Sequence, residues 1–244
     1  MATNVFARVV GETVQMVTEQ TETVLLSDFL AANAQLHKIE PPFFPGGNTC
    51  YIRNWRRQGN KQLFLLEEPP RMRTIRWKWW PDYPNCQQRP VDNTLEVSVP
   101  YAVWAIRTVN DAVEAGGSLQ LFFSPKPVTA DMDVLYAPPL ANVRVPSTDY
   151  HGRSCRLCFG DAHLQVDIST PLADKVAAIP ELFWSSAFNM DLSDNMVRQA
   201  SSSPIWQRGP FSWQEESQKN PLFVLTPTAF IFACRVKEVL AWLP

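Results

Sequence analysis

Residues 95–109 have the sequence LEVSVPYAVWAIRTV, which gives the clearest prediction of β-structure in the chain. In residues 95–99, apolar side chains alternate with polar ones, which is typical of a β-strand with one buried face. Residues 101–109 continue as a second strand. Pro100 lies between the two strands at a predicted bend or edge position.

Three further strands are predicted on either side of this stretch. Residues 62–67 form one candidate strand, which stops at Pro69-Pro70. Residues 74–79, TIRWKW, alternate polar and large side chains, as a half-buried strand does. Residues 119–123 follow a turn at Gly116-Gly117. Because the connections are too short for crossover helices, the sequence predicts an antiparallel meander.

The N-terminal residues are predicted to form an extension that packs on this core. Residues 5–26 are rich in β-branched side chains and predict a strand and a hairpin. Ser27-Asp28 then caps a predicted helix over residues 29–36. We therefore place a strand and helix extension at residues 1–58 and the main domain at residues 59–244.

The C-terminal part is predicted to be helical after a long loop. Residues 131–163 contain several prolines and predict the loop. A helix over residues 172–188 follows, interrupted and restarted at Pro180. Residues 227–242 have a helical apolar stripe, with a strand over residues 222–232 as the alternative. Strands first and helices last predict an α+β fold.

Composition and charge limit the function classes. Of the 244 residues, 45% are hydrophobic and 19% are charged, which is typical of a globular protein. The formal net charge of -2 makes nucleic acid an unexpected partner. The chain lacks the run of roughly 18 apolar residues that a membrane span requires. Residues 1–13 lack the pattern of a signal peptide, so we expect a cytoplasmic protein that does not cross a membrane.

The five cysteines are Cys50, Cys86, Cys155, Cys158 and Cys234. An odd number without a signal peptide disfavours a secreted disulfide framework. Two cysteines and two of the three histidines are crowded into residues 150–163, YHGRSCRLCFGDAH. This segment has three interpretations: a metal site, a nucleophilic thiol, or a pair of buried thiols.

The metal interpretation uses all four of these side chains. His151, Cys155, Cys158 and His163 supply two imidazoles and two thiolates, the set that tetrahedral zinc prefers. Structural zinc sites usually pair two knuckles that are a dozen or more residues apart, so four ligands from one short loop are crowded.

The other two interpretations concern the thiols alone. Cys158 lies beside Gly160, with Arg153 and Arg156 close in sequence, and cationic neighbours increase the thiolate fraction of a cysteine. Free cysteines are also commonly buried and inert, so Cys155 and Cys158 are alternatively small core residues.

A second candidate site is the carboxylate pair Glu67-Glu68, directly before Pro69-Pro70. Paired carboxylates serve as general acid and base in several enzyme classes. Acidic residues are nevertheless seldom buried, so the favoured interpretation is an exposed strand end.

Several segments together resemble a divergent prokaryotic ubiquitin-conjugating-enzyme-like (UBC-like) family, to which protein B of the plasmid-associated PRTRC system belongs. The resemblance covers residues 60–190. The matching segments are Glu67-Glu68-Pro69-Pro70 with Arg73-Thr74, then Val99-Pro100-Tyr101, then LYAPPLANV at 135–143, the loop at 152–160 and FWSSAFN at 183–189.

The resemblance implies a fold and a set of site residues. The fold is a four-stranded antiparallel meander followed by a catalytic loop and helices. The family loop has the form Gly-x-x-Cys-x-Gly, whose cysteine forms a thioester. Here Cys155 keeps the distance to Gly152 and Cys158 keeps the distance to Gly160, so Cys158 is preferred and Cys155 is the alternate. Asn142 is implied to stabilise the oxyanion, and His151 to assist proton transfer.

Three hypotheses for function follow. In the first, the protein is a thioester-forming acyl transferase that receives a ubiquitin-like modifier from an activating enzyme. In the second, it is a catalytically inactive UBC-like interaction or accessory module of a phage or plasmid system. Five tryptophans would then form the surface for another protein: Trp77, Trp79, Trp80, Trp206 and Trp213. In the third, it is a zinc-stapled binding protein; the first two hypotheses require no cofactor.

Overall fold

The computed structural model describes residues 5–10, 13–17, 21–25, 50–79, 91–113, 119–144, 155–158, 170–188 and 210–242. Fifteen strands and three α-helices lie within these ranges, and the strand pairs are mostly antiparallel. The predicted α+β class is therefore confirmed at this level. No helix in the described ranges combines the length and the apolar character that crossing a membrane requires.

The first ten strands lie before residue 125. They are β1 (Val5–Val10), β2 (Thr13–Val17), β3 (Thr21–Leu25), β4 (Tyr51–Gln58), β5 (Lys61–Glu68), β6 (Arg71–Trp79), β7 (Val91–Val99), β8 (Tyr101–Val109), β9 (Ala112–Val113) and β10 (Leu119–Ser124).

The remaining elements mix strands and helices. They are β11 (Val134–Ala137), β12 (Val143–Arg144), β13 (Arg156–Leu157), α1 (Leu172–Ser185), β14 (Ala187–Phe188), α2 (Pro210–Lys219), the 3₁₀ helices Pro221–Leu225 and Pro227–Ala229, β15 (Ile231–Arg235) and α3 (Val236–Leu240).

Twelve strands form the main sheet. Nine of them follow the order β12-β13-β10-β8-β5-β4-β1-β2-β3; β9 pairs with β8, and β11 pairs with both β10 and β15. The N-terminal strands therefore extend the same sheet through the β1–β4 pairing. The proposed boundary between residues 58 and 59 falls in the turn of the β4–β5 hairpin.

The strand order differs from a sequential meander. A meander would pair β5 with β6 and β7 with β8, whereas β5 pairs directly with β8 and the β6–β7 hairpin joins β14 in a second sheet. Prolines lie at both departures: Pro69-Pro70 follows β5, and Pro100 precedes β8. Because proline lacks an N–H and cannot donate to a ladder, these positions are natural places for the chain to leave one sheet and return.

The core lies where the two sheets and α1 meet. The inner face of the β6–β7 hairpin buries Ile75 and Trp77, while Thr74 and Arg76 on its other face are exposed. Trp104 of β8 packs edge to face against Phe183 of α1, with ring centroids 5.4 Å apart. Such aromatic pairs add to the stabilisation from apolar burial.

The helical predictions need correction at several points. The predicted helix over 172–188 exists as α1, but it continues through Pro180 and ends at Ser185. Residues 187–188 are instead the strand β14, which pairs in parallel with β6. Residues 227–242 hold a 3₁₀ turn, β15 and α3 in place of one helix.

Other predictions in the C-terminal part also change. The segment 131–163 is not only loop, because it contains β11, β12 and β13. The sequence did not predict α2, which covers the outer edge of β7: the backbone N–H of Ser98 donates to Ser217 Oγ (2.9 Å), and that of Glu96 to Gln214 Oε1 (3.0 Å). The helix predicted over 29–36 lies outside the described residues.

Candidate functional site

The two clustered cysteines flank β13, which lies between β10 and the edge strand β12 of the main sheet. The backbone N–H of Leu121 in β10 donates to the Cys155 carbonyl (3.0 Å). Three residues later, the N–H of Cys158 donates to the Asn142 carbonyl (2.8 Å), one step beyond the β12–β13 ladder. The backbone therefore places Cys158 opposite Asn142, the two residues that the resemblance pairs.

The two cysteines have different environments. Cys155 is fully buried, and burial raises the pKa of its thiol well above the ordinary value, with a further contribution from the nearby Cys234. A buried neutral thiol suits the interpretation of Cys155 as a core residue and disfavours it as an accessible nucleophile. Cys158 is only half-buried.

Asn142 is almost buried, with 4% of its surface exposed. Its side-chain Nδ2 donates to the backbone carbonyl of Ala187 at the corner between α1 and β14 (3.2 Å). The amide that the resemblance assigns to an oxyanion therefore also makes a contact within the protein.

The predicted zinc ligands are described only in part. Cys155 and Cys158 belong to the described residues, while His151 and His163 do not. In the ranges that the structure covers, no group of three or more His, Cys, Asp or Glu side chains is arranged to hold a metal ion. The four-ligand zinc site stays a prediction, as does the role of His151.

The prediction of an exposed Glu67-Glu68 pair is wrong, because both side chains are buried. Oε1 of Glu67 accepts from Nε (3.0 Å) and Nη2 (2.6 Å) of Arg53 on β4. Its Oε2 accepts the backbone N–H of Val128 (2.6 Å), which ties the loop after β10 to β5. Hydrogen bonds from both sides compensate the burial of this carboxylate.

Glu68 is 3% exposed and joins elements from both sheets. Its Oε1 accepts from Nη2 of Arg71 (2.7 Å) and of Arg73 (2.5 Å), both on β6. Its Oε2 accepts the indole N–H of Trp104 on β8 (3.0 Å) and of Trp184 on α1 (2.9 Å). We call Glu68 and these four donors the Glu68 cluster.

Burial and the surrounding donors shift the pKa of Glu68 in opposite directions. Burial raises the pKa of Glu68, and the hydrogen bond from Trp184, the charge of Arg71 and the hydrogen bond from Trp104 oppose that rise. Burial also raises the pKa of the neighbouring Cys50 thiol, and the negative charge of Glu68 raises it further. Cys50 is therefore a poor nucleophile.

A short sequence pattern indicates part of the Glu68 cluster. Arg71 and Arg73 are two positions apart on β6, so they lie on one face of the strand, directly after Glu68 and two prolines. Trp104 and Trp184 are 36 and 116 positions from Glu68, and no local pattern connects them to it.

The predicted tryptophan surface loses two of its five members. Trp77 and Trp213 are fully buried in the protein's own core. The indole N–H of Trp213 donates to the Ser98 carbonyl (2.9 Å), and Trp77 stacks on Phe188 with centroids 5.9 Å apart. The side chain of Trp79 and the residues Trp80 and Trp206 lie outside the described part of the chain.

Comparisons with known proteins give no relative: no family model, no curated protein and no solved structure matches this chain.

Proposed function

We propose that this chain is a UBC-like protein that carries a ubiquitin-like modifier as a thioester on Cys158. The observation that supports the proposal is the hydrogen bond from the Cys158 N–H to the Asn142 carbonyl (2.8 Å), since it joins the two residues that the UBC-like resemblance assigns to the reaction. Cys158 is half-buried whereas Cys155 is buried, which favours Cys158 as the proposed nucleophile.

The proposed reaction has two acyl transfers. The Cys158 thiolate attacks the C-terminal carbonyl carbon of the modifier held as a thioester on an activating enzyme; a new S–C bond forms and the activating enzyme's thiolate leaves. An amine of the acceptor then attacks the same carbon, so that an amide forms and the Cys158 thiolate is released. The proton lost by the amine passes to a base, for which His151 is the predicted candidate.

A second candidate is a catalytically inactive UBC-like module that binds another protein. It is favoured by the hydrogen bond from Asn142 Nδ2 to the Ala187 carbonyl (3.2 Å), because a donor used in the resting protein is less accessible to an oxyanion. In this case the fold is kept and the acyl transfer is lost.

The test uses ubiquitin activated as a C-terminal thioester with a small thiol. We expect an adduct of one ubiquitin on the wild-type chain that excess thiol or hydroxylamine removes by acyl transfer and that a phosphine reductant leaves intact, measured by intact-mass spectrometry. C158S should lose the adduct. C50S is the matched control, since Cys50 is also half-buried, and it should keep the adduct.

The outcomes separate the two candidates. An adduct that persists in C158S would remove Cys158 from the proposal. A wild-type chain that forms no adduct, while iodoacetamide still alkylates Cys158, would favour the inactive module, because the thiol is then accessible but does not accept an acyl group.

A further inference from the structure

We infer that Asn142 is a positioning residue whose side-chain amide fixes the Cys158 strand to the corner between α1 and β14. The inference deepens the proposed function, on which its chemical meaning rests. The two polar contacts that carry it use different groups of Asn142: the side-chain Nδ2 donates to the Ala187 carbonyl (3.2 Å), and the backbone carbonyl accepts from the Cys158 N–H (2.8 Å).

The corner that holds Asn142 is itself well fixed. Ser186 donates to the Phe183 carbonyl through its backbone N–H (3.1 Å) and through Oγ (2.7 Å), which closes the last turn of α1. Ala187 pairs with Arg76 of β6, and Phe188 packs against the Phe183 ring with centroids 5.1 Å apart. An anchor of this kind moves little, so it defines the position of what it binds.

The strand that Asn142 holds, β13, lies between β12 and β10 and is joined to each by a short ladder. Within the described residues, the β12–β13 ladder consists of two residue pairs, Val143 with Leu157 and Arg144 with Arg156, and the β10–β13 ladder of one, Gln120 with Arg156. Short edge ladders open locally at a lower free energy than the core of a sheet. The part-buried hydrogen bond from Asn142 Nδ2 to Ala187, at one end of the β12–β13 ladder, therefore contributes to keeping it closed.

The connection runs from the second sheet to the reactive thiol. Its steps are the β6–β14 pairing, the Ala187 carbonyl, the Asn142 amide, the Asn142 carbonyl and the Cys158 N–H. Breaking the amide contact should release Cys158 without unfolding either sheet. Asn142 then acts on the position of the thiol through the backbone.

The test measures hydrogen exchange of the Cys158 amide by nuclear magnetic resonance. In N142A, the protection factor of this amide should fall roughly two- to tenfold, the effect of losing one hydrogen bond on local opening. Core amides at Leu65 and Ile106 should keep their protection. The matched control is N60A, which removes one exposed Asn–Asn side-chain hydrogen bond (2.8 Å) in a distant turn and should leave Cys158 unchanged.

The N142D variant distinguishes a hydrogen-bond donor at this position from a side chain that only fills space. At neutral pH its carboxylate faces the Ala187 carbonyl without a donor, so Cys158 protection should be as low as in N142A. Below the pKa of that carboxyl group, the acid O–H donates to the carbonyl and protection should recover.

Three results would overturn the inference. Wild-type protection of Cys158 in N142A would show that the amide contact does not hold the strand. A uniform loss of protection in the core would show general destabilisation in its place. N142D protection that does not recover at low pH would exclude the donor role. Each result is independent of whether ubiquitin forms an adduct, so this inference and the proposed function fail separately.

Discussion

Trp184 in α1 donates its indole N–H to the carboxylate of Glu68 in β5 at 2.9 Å, although the two residues are 116 positions apart. The same carboxylate accepts hydrogen bonds from β6 and β8. One buried anion therefore connects the main sheet, the second sheet and the long helix. Replacing the Glu68 carboxylate should lower the free energy of unfolding, because removing one member of a buried ion pair leaves the other charge without a partner.

Glu68→Gln should lower the free energy of unfolding by about 3–5 kcal/mol, the range for a buried ion pair that loses one partner. The reason is that Arg73, only 10% exposed, keeps its charge and loses its counter-ion. Urea denaturation measures the change. The control is Glu216→Gln, whose partner Lys219 is exposed, and it should shift stability by no more than about 0.5 kcal/mol. Equal effects of the two variants would contradict the prediction.

Arg73→Lys should cost about 1–2 kcal/mol although the charge is kept. The Arg73 guanidinium lies 4.3 Å from the ring centroid of Trp184 while it binds Glu68, and an ammonium does not reproduce this planar stacking. Thermal and urea unfolding both report the loss. Arg76→Lys on the same strand, where the arginine pairs with Asp92 at the surface, should be near neutral. An Arg73→Lys variant as stable as the wild type would mean that charge alone matters at this position.

Asp133→Asn should change the pH dependence of stability. Burial alone would raise the pKa of Asp133, but hydrogen bonds from Lys126 and from the backbone N–H groups of Thr129 and Ala130 bring it below the ordinary value. For a lowered folded-state pKa, the stabilisation is present above the ordinary pKa and is lost as the pH falls through the folded-state pKa.

Near neutral pH, the free energy of unfolding of the wild-type chain should therefore exceed that of Asp133→Asn by about 1–3 kcal/mol, the cost of hydrogen bonds left unmade. That difference should shrink below about pH 4, near the ordinary pKa of aspartate. Urea titrations at a series of pH values measure it. A difference that stays constant across this range would rule out the ionised carboxylate as its source.

Ser217→Ala should destabilise the second sheet by about 1–3 kcal/mol, because the buried Ser98 N–H loses its acceptor. Hydrogen exchange at Ser98 should accelerate together with the loss of stability. Ser185→Ala, at an exposed serine near the end of α1, is the matched control and should stay within about 0.5 kcal/mol of wild type. Unchanged exchange at Ser98 would show that α2 does not protect this strand edge.

The local sequence patterns predicted the positions of strands better than they predicted which strands pair with each other. The alternation in residues 95–99 places Leu95 and Val97 in the core and leaves Glu96 exposed, as expected. The same holds for Ile75 and Trp77 on β6. The meander was nevertheless replaced by a β5–β8 pairing with a separate hairpin. A strand's pattern specifies which face is buried, whereas the neighbouring strand depends on contacts between residues far apart in sequence.

The candidate site shows the same division. Sequence reasoning singled out Cys158 and Asn142, and the backbone places them opposite each other. It could not distinguish the exposure of Cys155 from that of Cys158. It also placed Glu67 and Glu68 at the surface, because acidic residues are seldom buried unless they are paired. Their partners, among them Arg53 and Trp184, come from other elements.

The α+β class, the positions of β5 to β8 and β10, and the buried faces of β6 and β7 follow from local sequence patterns, since a two-residue period is a property of neighbouring side chains. The pairing of the strands, the partial exposure of Cys158 and the burial of the adjacent carboxylates Glu67 and Glu68 depend instead on contacts between distant residues. The physical reason is that each of these depends on desolvation and on its compensation by distant donors.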